Sequence, residues 1–130
     1  MKKKFIAAAV AITLLFAVFA MNVSATYIQL YHFGGSLSNN ISYDVYLSVD
    51  TQAHYYEMDA WAWGGTNVSI RLQCTVVYSD NSYDQTYSNH GSNSDNAVVY
   101  YDPSKTVAYV DMEMHIYEGS TYIDTVSDTY

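Results

Sequence analysis

From residue 27 onward, apolar and polar residues alternate along the chain with a period of two. The alternation is clearest in residues 41–49, 68–78 and 106–117, where every second side chain is apolar. Successive side chains of a strand point to opposite faces of a sheet, so the pattern predicts half-buried antiparallel strands. The many Tyr, Val, Thr and Ile residues of these segments also favour strands.

Weaker strand patterns fill the gaps, at residues 27–33, 54–63, 83–87, 97–101 and 122–127. Turn-forming residues separate the strands, at 34–35, 64–65, 79–82, 102–104 and 118–120. The polar residues 88–96 predict a loop. We therefore predict an all-β chain with one domain, residues 26–130, built as an antiparallel β-sandwich of about seven or eight short strands. A small barrel is the alternative.

Residues 1–25 have the organisation of a secretory signal peptide. Three lysines at positions 2–4 precede an apolar run over residues 5–20, and Val23-Ser24-Ala25 fits a cleavage pattern. We expect a signal helix that is cleaved near Ala25-Thr26, which leaves a secreted, extracellular protein of bacterial type. This apolar run is shorter than the roughly 20 residues of a spanning helix, and no later apolar run approaches that length, so we expect no membrane insertion of the mature chain.

The acidic balance narrows the choice of partners. The chain has 5 Lys and Arg residues against 13 Asp and Glu residues, and the expected mature chain keeps only Arg71 and Lys105, for a formal net charge of −11. This charge repels phosphate polyanions and argues against nucleic-acid binding. The single cysteine, Cys74, shares the apolar side of residues 68–78, which predicts a buried and unreactive thiol.

All fifteen tyrosines and both tryptophans follow the signal segment. In residues 54–63 the alternation places a set of aromatic and acidic residues on one face: Tyr55, Glu57, Asp59, Trp61 and Trp63. If the small residues between them pack inward, this face suits a glycan, because aromatic rings stack on sugar C–H groups and carboxylates accept hydrogen bonds from hydroxyls. In the alternative reading, the tryptophans fill the core.

Two further patterns raise the question of a metal. Asp111, Glu113 and His115 share one strand face, but alternate strand positions are roughly 6.6–7 Å apart, and a metal site would need ligands from a neighbouring strand. The alternative is a solvated face. Residues 80–84 begin like a calcium loop but lack its later Gly and Glu. We predict no metal and no cofactor.

The chain has no nucleophile-elbow or zinc-protease motif, so we predict no catalytic residue and no enzyme. Among the four histidines, His90 lies in the predicted loop and is the best placed to act at a surface.

The segment around His90 reads Tyr87-Ser88-Asn89-His90-Gly91-Ser92, and Ala97-Val98-Val99 follows it. It resembles a segment of the lactococcin-type bacteriocins, which are small exported β-sandwiches, and the resemblance implies a secreted antagonist. Our leading hypothesis is an extracellular module that binds a glycan or a protein. A bacteriocin-like or toxin-like effector is the main alternative, and an enzyme is the third. The sequence makes no prediction of oligomeric state.

Overall fold

The computed structural model describes residues 27–130, which form nine β-strands and no helix. The strands are β1 (Tyr27–Ser36), β2 (Ser42–Asp50), β3 (Tyr55–Trp63), β4 (Val68–Tyr78), β5 (Tyr83–Tyr87), β6 (Gly91–Ser92), β7 (Ser94–Tyr100), β8 (Val107–Glu118) and β9 (Thr121–Thr129). The expected signal helix and its cleavage site lie outside the described residues. Within residues 27–130, no helix is long and apolar enough to cross a membrane.

The strands form two antiparallel sheets. One has four strands in the order β1-β2-β3-β7, and the other follows the order β5-β4-β8-β9, with the short β6 pairing with β4. Among the described residues neither sheet closes on itself, so the all-β antiparallel prediction is confirmed and the barrel alternative is wrong. The strand count exceeds seven or eight because β6 has only two residues and no alternation to reveal it.

One hydrophobic core lies between the two sheets. The four-stranded sheet contributes residues that include Val45, Leu47, Met58, Ala60, Ala62, Ala97 and Val99. The five-stranded sheet contributes Val68, Ile70, Leu72, Cys74, Val76, Tyr78, Val110, Met112, Met114 and Ile116. Nearly all are the alternate residues that the sequence pattern selects, and each fully buried Val, Leu, Ile or Met side chain contributes about 1.5–3 kcal/mol. Cys74 is buried in this core, as predicted.

The turn expected at Gly34 and Gly35 is wrong. Strand β1 continues through both glycines to Ser36, and the chain turns at residues 37–40 instead. A Cβ atom at Gly34 would clash with the side chain of Asp44, and one at Gly35 would crowd Tyr43. These glycines therefore let β1 approach β2 closely, because they have no side chain. Glycine serves both close packing and tight turns, and the sequence alone does not distinguish the two roles.

The loop expected over residues 88–96 is shorter than predicted. Gly91 and Ser92 pair with β4, Asn93 adopts a left-handed conformation with φ 63°, and β7 begins at Ser94. Of the predicted loop, only residues 88–90 and Asn93 remain outside strands. The polar side chains of this segment show no alternation with apolar residues, so they carry no strand signal. Backbone N–H and C=O groups can nevertheless pair in a sheet whatever the side chains are.

Candidate functional site

Strand β3 alternates between buried and solvent-facing residues. Met58, Ala60 and Ala62 are fully buried against the other sheet. The solvent-facing residues, called here the β3 face, are Tyr55, Glu57, Asp59, Trp61 and Trp63. Trp61 is 44% exposed and Trp63 45% exposed, so both indole rings lie outside the core.

Neighbouring strands support Trp61 from the side. The Tyr46 ring meets the Trp61 indole edge-on, with ring centroids 5.6 Å apart. The His32 ring in turn stacks on Tyr46, with centroids 4.3 Å apart. His32 Nε2 lies 2.9 Å from Asp44 Oδ1, and Asp44 is the β2 residue directly opposite Trp61. Such aromatic contacts favour edge-to-face and offset geometries, so this cluster restricts how the indole can turn.

A β-bulge places His32 in this cluster. The pairing of β1 with β2 shifts between Gln29 and Tyr31, which leaves Leu30 as the extra residue. Beyond the bulge His32 faces solvent opposite Tyr46, whereas Tyr31 packs against the core. The sequence pattern of β1 was weak for this reason, since a bulge interrupts the period of two.

The two carboxylates of the β3 face differ in their surroundings. Glu57 accepts hydrogen bonds from the Tyr27 hydroxyl at 2.9 Å and from Asn96 Nδ2 at 3.0 Å. Asp59 accepts no side-chain hydrogen bond from the described residues, and partial burial, followed by the charge of Glu57, raises the pKa of Asp59 above its usual value. Asp59 is therefore the carboxylate with lone pairs free for a ligand hydroxyl.

A shallow pocket of about 270 Å³ lies beside Trp61, lined by Asp59, Trp61, Ser94, Asp95 and Asn96. Asp95 Oδ2 is buried and has no hydrogen-bond partner among the described residues. The pocket thus combines an indole ring with hydroxyl, amide and carboxylate groups. Sequence reasoning missed Ser94, Asp95 and Asn96, because it assigned them to a loop instead of the strand beside β3.

Tyr55 lies at the far end of the same face. It is six residues from Trp61 along an extended strand, a separation of roughly 20 Å. Its ring contacts Tyr100 edge-on at 5.7 Å, so it belongs to a separate aromatic pair. The structure thus places Asp59 and Trp61 in one pocket, with Trp63 as the next solvent-facing residue of β3 after Trp61, and leaves Tyr55 apart.

His90 packs against the five-stranded sheet and not against the β3 face. It precedes β6, and its ring packs on Tyr117 of β8 with centroids 4.8 Å apart. This position is in the shortened loop, as expected, but it is on the five-stranded sheet and forms no cluster with the β3 face.

Asp111, Glu113 and His115 share the outer face of β8, as the alternation predicts. Each has a local partner: Asp111 accepts from Thr129 Oγ1 at 2.6 Å, His115 Nδ1 lies 2.8 Å from Thr125 Oγ1, and His115 Nε2 lies 3.5 Å from Glu113. No group of three or more His, Cys, Asp or Glu side chains in residues 27–130 is arranged to hold a metal ion.

The calcium-like spacing at residues 80–84 serves the turn between β4 and β5. Asp80 Oδ1 accepts a hydrogen bond from the Ser82 backbone at 2.9 Å and a second from its hydroxyl, which lowers the pKa of Asp80. Lys105 Nζ lies 3.5 Å from the other Asp80 oxygen, and Asp84 is bonded to Tyr78 instead. The carboxylates thus face different partners and form no shared ion cage.

A second cavity was not anticipated from the sequence. It has a volume of about 340 Å³ and lies on the outer face of the five-stranded sheet, between Tyr83 of β5 and Tyr109 of β8. The period of two marked Tyr109 as solvent-facing, but the pairing of β5 and β8 on either side of β4 was needed to bring Tyr83 beside it.

Comparisons with known proteins leave the function to be argued from this geometry. No protein-family model matches the chain, and no similar protein was found among the curated proteins or the solved structures.

Proposed function

We propose that this chain is a small secreted, non-enzymatic module that binds a glycan through Asp59, Trp61 and Trp63. The observation that carries the proposal is the exposure of both indole rings on one strand face, beside a carboxylate with free lone pairs and a shallow polar pocket. Secretion rests on the signal-like residues 1–25.

The chemistry of this face favours a sugar over an apolar partner. An indole ring offers a flat surface for the C–H side of a sugar, and Asp59, Ser94 and Asn96 offer acceptors and donors for its hydroxyls. Because these groups stand on paired strands, little conformational entropy is lost when a ligand binds.

The negative charge of the protein limits which glycans can bind. Residues 27–130 hold two cations and thirteen carboxylates, and Asp44, Glu57 and Asp59 all stand on or beside the β3 face. A polyanionic polysaccharide would be repelled, so the proposed ligand is a neutral glycan.

An open face also favours binding over catalysis. Enzymes that act on sugars enclose the scissile bond between two carboxylates and exclude water. Here Glu57 is held by Tyr27 and Asn96, and the pocket beside Trp61 is shallow.

The test is a pull-down of the purified protein on the neutral insoluble glycans cellulose and chitin. Trp61→Ala and Trp63→Ala should each reduce the bound fraction at least tenfold. Tyr122→Ala is the matched control, since Tyr122 is 54% exposed but lies on the other sheet, and it should bind as the wild type does. Equal retention of all variants would refute the role of the β3 face.

A bacteriocin-like effector is the second candidate. It is favoured by the two-sheet all-β fold, which agrees with the fold implied by the resemblance around His90. Growth inhibition of related bacteria by the purified protein, in the absence of any glycan binding, would favour this candidate over the first.

A further inference from the structure

The cavity on the five-stranded sheet has an aromatic side chain on each flank. Tyr83 and Tyr109 both pair with Val77, one from β5 and one from β8. Neighbouring strands are about 4.8 Å apart, so the two tyrosine backbones are separated by roughly 10 Å with Val77 between them. Tyr83 is 64% exposed and Tyr109 41% exposed, which leaves an open slot above Val77.

Polar groups extend the slot along β4. On the β5 side, Gln85 Nε2 donates to Thr75 Oγ1 at 2.6 Å, and the Tyr87 hydroxyl donates to Gln85 Oε1 at 3.0 Å. These bonds orient the Gln85 amide before any ligand arrives, which lowers the entropy lost on binding.

The β8 side supplies acceptors. Asp111 and Glu113 line the cavity, and Asp111 is already oriented by the hydroxyl of Thr129. A carboxylate has about four acceptor positions, so one hydrogen bond leaves capacity for ligand hydroxyls. Aromatic flanks with amides on one side and carboxylates on the other are the groups that a sugar ring requires.

The ligand of this cavity should carry no negative charge. The two cationic side chains of residues 27–130 are engaged elsewhere, since Arg71 lies over the Tyr87 ring at 5.0 Å and Lys105 donates to Ser82 Oγ at 2.8 Å. Neither lines the cavity, whereas Asp111 and Glu113 do. An anionic sugar would meet only repulsion there.

We propose that this cavity is a second site for a neutral sugar residue and that one chain therefore binds two glycan strands. The two sheets pack with a common core between them, so their outer faces point in opposite directions. A short oligosaccharide cannot reach both sites, because the sites lie on opposite faces of the molecule, so each site binds a separate glycan chain. The second site rests on its own cavity, and the joining of strands rests in addition on the proposed function of the β3 face.

Isothermal titration with cellohexaose, chitohexaose and xylohexaose, each in turn, tests the proposal. The wild type should bind two molecules of at least one hexaose, and Tyr83→Ala combined with Tyr109→Ala should bind one. Tyr122→Ala, an exposed tyrosine of the same sheet outside the cavity, should still bind two.

Tryptophan fluorescence separates the two sites, because both tryptophans of the chain lie on the β3 face. The variant without Tyr83 and Tyr109 should keep the ligand-induced emission change of the wild type. Trp61→Ala combined with Trp63→Ala should retain one site, which disappears when the two tyrosines are also replaced. Thermal melts of each variant establish that it is folded.

Different outcomes refute the second site and the β3 face. If the double tryptophan variant binds no hexaose, or if the double tyrosine variant still binds two, the second site does not exist and the β3 face can stand. If loss of the two tyrosines abolishes all binding, the second site stands and the β3 face fails. A wild type that binds none of the three hexaoses would overturn both sites.

Discussion

The Tyr78 hydroxyl donates a hydrogen bond of 2.5 Å to Asp84 and also accepts one of 2.7 Å from the Asp102 backbone N–H. Burial, followed by Asp84, raises the pKa of Tyr78 to about 12. A raised folded-state pKa contributes stability that is fully present below the unfolded value of about 10 and is lost as pH rises toward the folded value. We predict that the free energy of unfolding of the wild type falls between pH 10 and about 12 more steeply than that of Tyr78→Phe.

Urea unfolding at several pH values measures this difference. At pH 7 the Tyr78→Phe variant should be less stable by about 1–3 kcal/mol, the range for hydrogen bonds of this kind. Tyr83→Phe is the matched control, because the Tyr83 hydroxyl has no part in this contact. Parallel stability curves for the wild type and Tyr78→Phe above pH 10 would contradict the assignment.

Cys74 provides a second prediction. It is fully buried, and burial, followed by the charge of Asp111, raises its pKa to about 12. Since the thiolate is the reactive form, the folded protein at pH 8 should react with an aromatic disulfide reagent at least a hundredfold more slowly than the urea-unfolded protein. Cys74→Ser should cost about 1–3 kcal/mol, because it buries a hydroxyl among apolar groups. Rapid stoichiometric labelling of the folded protein would show that the core is open at β4.

Salt should stabilise the protein. Thirteen carboxylates against two cations in residues 27–130 repel one another, and screening relieves this repulsion. We predict a higher melting temperature when sodium chloride rises from about 10 mM to about 200 mM, over which the screening length falls well below molecular dimensions.

Calcium chloride at matched ionic strength is the control for a specific ion site. It should raise the melting temperature no more than sodium chloride does, since the carboxylates near residues 80–84 face separate partners. A melting temperature independent of sodium chloride would mean that the carboxylates are too dispersed to interact.

Much of the fold follows from side-chain alternation, because a strand with one buried face must repeat every two residues. Strands β2, β4 and β8 carry that signal without interruption, and the structure places them within one residue or two of the predicted bounds. The signal failed where backbone geometry decides. Gly34 and Gly35 allow close packing rather than a turn, Leu30 forms a bulge, and the two-residue β6 is held by backbone pairing alone.

The candidate sites divide in the same way. Alternation within β3 was enough to place Asp59, Trp61 and Trp63 on one face, because that relation is local. The support of Trp61 by Tyr46 and His32, and the meeting of Tyr83 with Tyr109, depend on which strands pair and in what register. These relations link residues distant in sequence, and the period of two carries no information about them.

The central claim is that Trp61 and Trp63 are a surface for a ligand and not part of the core, and thermal melts of Trp61→Ala and Trp63→Ala, paired with glycan pull-downs, test it most directly. Substitutions on a surface usually change stability by no more than about 0.5 kcal/mol, whereas loss of a core tryptophan costs about 3–5 kcal/mol. We predict that both variants melt within a few degrees of the wild type and lose glycan binding. Strong destabilisation of both variants, or unchanged binding by both, would contradict the account.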